Sequence, residues 1–181
     1  SLLKKLKNEA KLISHTKRLS AMFLGKVENS NFDIRARINS VGKTEIVLKK
    51  GDFHAHDRIE ESQEIQKGQF IGFVKMFSLF GFSSKITERE NFVFDIGDEI
   101  TLVLVKANNI AYVEIEKMSS KDSVDENKKK LLELIMNYEL QLIKDGKEFD
   151  ELCDRLTKYS DWVFIHSTES VEKLSDMLKN Y

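Results

Sequence analysis

Residues 33–50 have the sequence DIRARINSVGKTEIVLKK, in which charged and apolar residues alternate on both sides of a glycine-containing turn. Side chains alternate between the two faces of a β-strand, so Arg35 and Arg37 would share one face, with apolar residues on the other. The residues NSVG would then reverse the chain. In the strand that follows, Glu45 and Lys49 would again share one face. The stretch therefore predicts a β-hairpin with one charged face and one apolar face.

Charged residues spaced two apart recur in three later segments. Arg58 and Glu60 form one pair, and Glu114 and Glu116 flank Ile115 in another. The third segment carries three polar residues at this spacing: Lys85, Thr87 and Arg89. Arginine and lysine bind phosphate oxygens, and paired carboxylates are ligands of hard divalent cations. The pattern is therefore that expected of a polyanion site with a metal.

Two structural explanations compete with this functional one. Crowded like charges repel, so cations in register imply either an anionic ligand or interleaved carboxylates. An ordinary sheet also turns a charged face to water. For Glu114 and Glu116 the alternative is the polar outer face of an edge strand. Spacing alone does not separate these explanations.

The remaining segments predict helices around an antiparallel sheet. Leu3, Leu6, Ala10 and Ile13 recur at helical spacing and predict a helix over residues 2–14. The segment around 70–77 places Phe at three positions of one helical face, an aromatic stripe expected in the core. Three apolar stripes after residue 118 predict three further helices. We expect an α+β domain, with strands mainly in 1–118 and helices in 119–181 of the same domain.

Composition limits the function classes. The chain has 181 residues, a net charge of −1 and one cysteine, Cys153. The near-zero net charge gives no general attraction to nucleic acid, which argues against a basic RNA-binding groove. No apolar run reaches the length of a membrane span, and residues 2–13 are too charged for a signal peptide. The single cysteine excludes an internal disulfide, so a cytoplasmic protein is expected.

These motifs, in this order, resemble the CYTH family of triphosphate-tunnel enzymes, which includes class IV adenylyl cyclases, thiamine triphosphatases and inorganic triphosphatases. The resemblance covers about residues 17–118 and implies a closed antiparallel barrel, or tunnel. It implies a triphosphate-containing small molecule or polyphosphate as partner, and Mg²⁺ or Mn²⁺ as cofactor. Carried over by position, the phosphate-binding residues would be Arg35, Arg37, Lys49, Arg58, Lys85 and Arg89. The metal-binding residues would be Glu60, Glu114 and Glu116.

The chain departs from the family pattern in two places. It lacks the N-terminal E-x-E-x-K strand, which supplies two metal carboxylates and a lysine, and residues 2–14 resemble the helix that follows that strand. The segment 102–105 is wholly apolar, where the family usually has an acidic residue. The expected function is a divalent-metal-dependent triphosphate hydrolase or a nucleotidyl cyclase relative, with weakened catalysis. The alternative is a catalytically inactive phosphate- or polyphosphate-binding module.

Overall fold

The computed structural model describes residues 1–27, 30–51, 59–118 and 123–181 of the chain. Within them the helices are α1 Leu2–Glu9, α2 Phe70–Ser78, α3 Val124–Asn137, α4 Gly146–Tyr159 and α5 Thr168–Leu178. The strands are β1 Lys11–Val27, β2 Ser30–Asn39, β3 Thr44–Lys50, β4 Ile59–Glu64, β5 Ser83–Asp95, β6 Ile100–Ala107, β7 Ile110–Lys117 and β8 Trp162–Val163. The predicted α+β class is confirmed.

The strands form an antiparallel sheet in the order β4-β3-β2-β1-β5-β6-β7, and the short β8 pairs with β5. The predicted hairpin is present, because β2 and β3 pair with Arg37 opposite Glu45. Among the described strands, β4 and β7 end this order and no pairing joins them. The described pairings are therefore those of an open sheet. Closure into a tunnel stays a prediction.

The chain divides into two compact units, and each takes residues from both ends of the sequence. Unit 1 contains residues 1–15 and 90–154, and unit 2 contains residues 16–89 and 155–181. The division follows spatial contacts between residues. The domain boundary at residue 118 stays a prediction.

The core of unit 2 lies on the apolar face of β1, β2 and β5. Phe23, Ile38 and Ile86 from these strands are fully buried, together with Phe70 and others. Helices α2 and α5 supply the opposite side of this core. The predicted aromatic stripe of α2 is thus a packing face, as expected for apolar residues at helical spacing. Because alternate residues occupy the other face, burial of this core determines where the cations of β2 and β5 lie.

Unit 1 has its own core. Leu6 of α1 packs with Phe92, Phe94, Leu102 and Leu104 of β5 and β6. Partly buried residues of β7 and Tyr138, which follows α3, pack against this cluster. One of the β7 residues is Ile115, which lies between Glu114 and Glu116. The alternation predicted for β7 is therefore confirmed.

The prediction of a helix over residues 2–14 is wrong beyond residue 9. Ala10 has extended dihedral angles, φ −132° and ψ 156°, and its N–H donates to the carbonyl of Leu6. The chain then continues as β1 from Lys11. Ile13, the last residue of the apparent stripe, is 57% exposed. Ile13 therefore lies at helical spacing from Leu6 without belonging to the helix. Strand pairing in the sheet determines its conformation more strongly than the local spacing of apolar residues does.

Of the helices in the described ranges, none combines the length and the apolar character that crossing a bilayer requires.

We predict that Gly25→Ala destabilises the protein. A Cβ atom at this position would lie 2.5 Å from Cδ1 and 2.6 Å from Cε1 of Phe82. The Phe82 ring would have to move out of its edge contact with Phe32, where the centroids are 5.6 Å apart. Overpacking of this kind costs about 1–3 kcal/mol of unfolding free energy, measured by denaturant titration.

The matched control is the double variant Gly25→Ala/Phe82→Leu, in which the ring that would clash is absent. The two substitutions should then be strongly non-additive. Additive effects would show that the contact between residues 25 and 82 is not the cause.

Candidate functional site

The charged face of β2, β3 and β4 is set by strand register. Arg37 pairs with Glu45, and Glu45 with Glu64, across the three strands. Four residues along, Lys49 lies opposite both Asp33 of β2 and Glu60 of β4. Residues directly opposite on neighbouring strands share a face, so cations and carboxylates are interleaved here.

Arg35 pairs with a carboxylate that is wholly buried. Its Nε lies 2.9 and 3.0 Å from the two carboxylate oxygens of Asp33, and Nη2 lies 2.5 Å from Oδ2. The Asp33 side chain has no exposed surface, whereas Arg35 is 21% exposed. A buried charge needs a partner of opposite sign. Arg35 therefore neutralises Asp33 while part of its own side chain stays exposed.

Arg37 and Lys43 together hold Glu45. Arg37 Nε donates to Glu45 Oε1 at 2.7 Å, and Lys43 Nζ lies 3.1 Å from Oε2. Burial raises the pKa of the Glu45 carboxyl, but hydrogen bonds and charge from Arg37 and Lys43 outweigh it and leave the pKa lowered. Glu45 is therefore ionised at neutral pH and serves as an internal counter-anion.

Glu60 is more accessible than Asp33 and Glu45. Its Oε2 lies 2.5 Å from Lys49 Nζ, and its Oε1 lies 4.0 Å from Arg37 Nη2. The Glu60 side chain is 44% exposed, so it lies at the solvent side of two predicted phosphate-binding cations. We call Arg35, Arg37, Lys49 and Glu60 the hairpin cluster.

The two cations of β5 lie on the same face of the sheet but have other partners. Ile86 is buried in the core that also contains Ala36 and Ile38, so Lys85 and Arg89, which alternate with Ile86, face away from it. Lys85 Nζ donates to Thr157 Oγ1 at 2.6 Å.

Arg89 makes a forked ion pair with the segment after α4. Its Nη1 and Nη2 donate to the two carboxylate oxygens of Asp161 at 2.7 and 3.1 Å, and Nη1 lies 3.3 Å from Ser160 Oγ. Arg89 is 7% exposed and Asp161 2%. We call Lys85, Arg89, Thr157 and Asp161 the β5 clasp. This clasp ties the residues after α4 to the sheet.

The structure thus places five predicted phosphate-binding residues on one face of unit 2, in two groups. Each of the five contacts a carboxylate or a hydroxyl of the protein. Of the two explanations given for crowded cations, interleaved carboxylates are present in both groups. Arg58, the sixth predicted residue, lies outside the described residues.

The carboxylates predicted to bind a metal fall in different units. Glu60 belongs to unit 2, while Glu114 and Glu116 belong to unit 1. Both β7 carboxylates are exposed and lie opposite Val103 and Thr101 of β6. In the part of the chain that is described, no three His, Cys, Asp or Glu side chains form a group that could hold a metal ion.

The donor chemistry of β7 nevertheless fits a hard cation. Mg²⁺ binds through one or two carboxylates and completes its octahedral shell with water and substrate phosphate oxygens. Glu114 and Glu116 provide two carboxylates on one strand face, which meets that requirement without a third protein ligand. The metal assignment stays a prediction.

Unit 1 carries a separate charged network on β5. Glu90 Oε2 lies 2.7 Å from Lys106 Nζ, and Oε1 lies 2.8 Å from His15 Nε2. The hydrogen bonds from Lys106 and His15 lower the pKa of the Glu90 carboxyl. The His15 ring stacks on Phe92 with 4.1 Å between centroids. This network links β1, β5 and β6.

Sequence reasoning missed three residues of these groups. Asp33 stands two positions before Arg35, so its place on the charged face was available from alternation. Thr157 and Asp161 gave no such signal, because a contact between β5 and a segment over seventy positions later has no local pattern. Alternation in the sequence predicts on which face the cations of β2, β3 and β5 lie, but not which residues they contact.

No protein-family model matches the chain, and no curated protein matches it significantly by sequence. Solved structures do match it. PH1012 from Pyrococcus horikoshii OT3 has a TM-score of 0.61 at 17% identity, covering 77% of this chain and 84% of that one. A conserved hypothetical protein from Pyrococcus furiosus, Pfu-838710-001, has a TM-score of 0.59 at 19% identity, covering 77% and 84%. PH1819 from Pyrococcus horikoshii OT3 has 0.59 at 16% identity, covering 85% and 93%. At these identities the likeness concerns the fold alone.

We predict that Asp161→Ala strongly destabilises the protein. It would leave the guanidinium of Arg89 buried without its carboxylate, and breaking a buried ion pair costs about 3–5 kcal/mol. Chemical denaturation of the variant measures this loss.

Asp176→Ala is the matched control. Asp176 pairs with Lys179 at 2.6 Å, but both side chains are more than two-thirds exposed. Exposed pairs contribute about 0–1 kcal/mol, so this change should be nearly neutral. Equal effects of the two substitutions would show that the β5 clasp does not stabilise the fold.

We also predict a specific change in acid stability for Glu45→Gln. The folded-state pKa of Glu45 is below its ordinary value of 4.5, so ionised Glu45 stabilises the fold above that pH. That contribution is lost as the pH falls through the lowered pKa. The variant should therefore be less stable than wild type at pH 7 but lose less of its stability below about pH 4.5. Parallel curves of unfolding free energy against pH for both proteins would contradict this.

Proposed function

We propose that this protein binds a triphosphate-containing small molecule or polyphosphate through the hairpin cluster, and hydrolyses it with the help of Mg²⁺ or Mn²⁺. The observation that carries the proposal is the position of Glu60. This accessible carboxylate lies within 4.0 Å of two cations, Lys49 and Arg37. A phosphate oxygen is an acceptor of the same kind and can take the same place.

Replacing the carboxylate of Glu60 by a phosphate oxygen costs little free energy. Replacing the buried carboxylates of Asp33 and Glu45 would cost much more. A solvent-exposed ion pair contributes about 0–1 kcal/mol, so replacing Glu60 costs little. Asp33 is wholly buried, and removing its partner Arg35 would leave a buried charge unpaired. A phosphate chain would therefore bind Lys49, Arg37 and the partly exposed Arg35 while Asp33 and Glu45 stay in place.

Glu60 would then be available for a second role. Released from Lys49, it becomes a carboxylate beside bound phosphates, which is where the resemblance places a metal ligand. Glu114 and Glu116 are the other residues proposed to hold the metal. When bound, a divalent cation would neutralise charge on the phosphates and polarise them toward attack by water. Closure of the sheet into a tunnel around the ligand belongs to the same proposal.

Hydrolysis is preferred over cyclisation because no feature of the sequence indicates a purine pocket. Phosphate binding without hydrolysis is the second candidate, and one observation favours it. In β6, Leu102, Leu104 and Val105 are all buried apolar residues, so the strand offers no carboxylate where the resemblance calls for one. Fewer oxygen ligands mean weaker binding of the metal.

We predict that inorganic tripolyphosphate raises the melting temperature of the protein. A ligand that binds only the folded state adds about 2.7 kcal/mol of stability at a concentration 100 times its Kd. Arg37→Ala and Lys49→Ala should each reduce the rise, measured by differential scanning fluorimetry. Lys179→Ala, which removes a cation from an exposed helical pair, should leave the rise unchanged.

Glu60→Gln gives a prediction of opposite sign. It removes the carboxylate that competes with phosphate, so tripolyphosphate should bind more tightly than to wild type when no metal is present. For this variant, addition of Mg²⁺ or Mn²⁺ should no longer change the melting shift that tripolyphosphate causes. Absence of any melting shift at millimolar tripolyphosphate, with and without metal, would reject both candidate functions.

Release of phosphate separates the two candidates. Metal-dependent turnover that is lost in Glu114→Gln and Glu116→Gln would support the hydrolase. A melting shift without turnover would support the binding role instead.

A further inference from the structure

The charged face of unit 2 continues beyond both ends of the hairpin cluster. A row of this face consists of the residues of neighbouring strands that lie directly opposite one another. Strand register places Lys26 of β1 one row beyond Lys49, and it places Arg18 of β1 one row beyond Arg37 at the other end. Both β1 residues alternate with the buried apolar residues of that strand, so they lie on the charged face.

Each of five successive rows of this face contains a cation. Lys43, which precedes β3, adds a cation to the last row, because its carbonyl accepts a hydrogen bond from Asn39, the residue opposite Arg18. Residues of one face are two apart along a strand, so neighbouring rows are about 6.8 Å apart and five rows cover about 27 Å. In order along the strands, the cations of these rows, which we call the cation track, are Lys26, Lys49, Arg35, Arg37 and the pair Arg18 and Lys43.

The cation track can be reached from solvent at both ends. Lys26 is exposed at one end, and the Lys43 side chain is 53% exposed at the other. Arg18 is partly exposed and, like Arg35, interacts with another residue of the chain. Arg35 and Arg37 in the middle rows are about one-fifth exposed, at 21% and 19%. An anion lying along the face can therefore contact cations over the whole length of the track.

The carboxylates of this face lie to one side of the track or are already paired. Asp33 and Glu45 are buried, and each has a cation partner. Glu60 and the exposed Glu64 lie on β4, at the side of the face away from β1. The residues that β1 places on this face, at positions 18, 20, 22, 24 and 26, include no acid. An extended anion is therefore expected to follow β1 and β2 and to avoid β4.

Strand β5, on the other side of β1, also leaves this path open to an anion. Asp161 is only 2% exposed there, and it is bound to Arg89. Lys85 donates to the neutral hydroxyl of Thr157, so this contact leaves its positive charge uncompensated. The side of the face next to β1 therefore adds positive charge to the track.

Cations in every row select a ligand that carries negative charge along its length. A linear polyphosphate is charged on every unit, and guanidinium and ammonium groups bind its oxygens. Tripolyphosphate is short and reaches only part of the track. Single-stranded nucleic acid is also charged on every unit, but proteins bind it largely by stacking its bases on aromatic side chains. None of the described residues in these rows is aromatic.

We propose that this face binds linear inorganic polyphosphate longer than tripolyphosphate, with the chain lying along β1 and β2 from Lys26 to Arg18. The inference rests on the proposed function and narrows its ligand from any triphosphate group to a polymer. Lys49, Arg35 and Arg37 contact the middle of the chain. Lys26 contacts it at one end of the track, and Arg18 and Lys43 contact it at the other.

The test is isothermal titration calorimetry in metal-free buffer with tripolyphosphate and with linear polyphosphates of increasing, defined length. Chains that reach both ends of the track should bind the wild-type protein at least about tenfold more tightly per chain than tripolyphosphate, because they make additional charged contacts. Arg18→Gln and Lys26→Gln should each weaken binding of the long chain about tenfold and leave binding of tripolyphosphate unchanged. Lys49→Ala should weaken binding of both ligands.

Lys17→Gln and Lys50→Gln are the matched controls. Each lysine is exposed and adjoins a track residue in sequence, but alternation places it on the opposite face of the sheet. Neither substitution should change the affinity for long polyphosphate. If Arg18→Gln fails to fold, Lys26→Gln still tests the proposal, because Lys26 is exposed and its replacement leaves the core intact.

Three results would overturn the proposal while leaving phosphate binding by the hairpin cluster intact. Long chains could bind no more tightly than tripolyphosphate. Inositol hexakisphosphate, a compact anion, could bind as tightly as the longest chain. A single-stranded RNA homopolymer could bind as tightly as polyphosphate and lose affinity in Arg18→Gln, which would make the track a nucleic-acid site. Failure of every phosphate ligand to bind would reject the proposed function as well.

Discussion

The arrangement of the charged face requires the ion pair between Arg35 and Asp33. Asp33 is wholly buried, and a carboxylate in that position is tolerated only when a cation neutralises it. Arg35 does so through three contacts of 2.5 to 3.0 Å. The same logic extends along the hairpin, where Glu45 lies between Arg37 and Lys43. Without these carboxylates, the cations of neighbouring strands could not be placed in register without repulsion.

The ion pairs of this face are of two kinds, buried and accessible, and the two differ in whether a ligand can replace the carboxylate. The pair of Arg89 and Asp161 is almost inaccessible to solvent, and it holds the segment after α4 on β5. The pair of Lys49 and Glu60 is accessible, so its carboxylate can be exchanged at small cost. An anionic ligand is therefore expected to bind at the hairpin cluster first. In the conformation described, Arg89 acts as a structural residue.

The sequence predicts those strands and helices of this chain that have a strong local pattern of their own. The alternation in β2, β3, β5 and β7 predicted both the strands and the faces of their charged residues, and the spacing in 70–77 predicted α2. The boundary between α1 and β1 was mispredicted because Ile13 continued the helical spacing while lying in a strand. The β5 clasp could not be predicted, since Thr157 and Asp161 meet Lys85 and Arg89 only through the tertiary fold.

The similarity to the archaeal structures has a physical explanation that also limits its use. A TM-score of about 0.6 at 16–19% identity means that the backbone arrangement is retained while most side chains differ. The arrangement depends on alternation and on buried apolar residues such as Phe23, Ile38 and Ile86, which many sequences can supply. A likeness of the backbone at such identities does not carry the identity of the charged side chains with it. Function must therefore be argued from the residues of the hairpin cluster and not from the likeness of the fold.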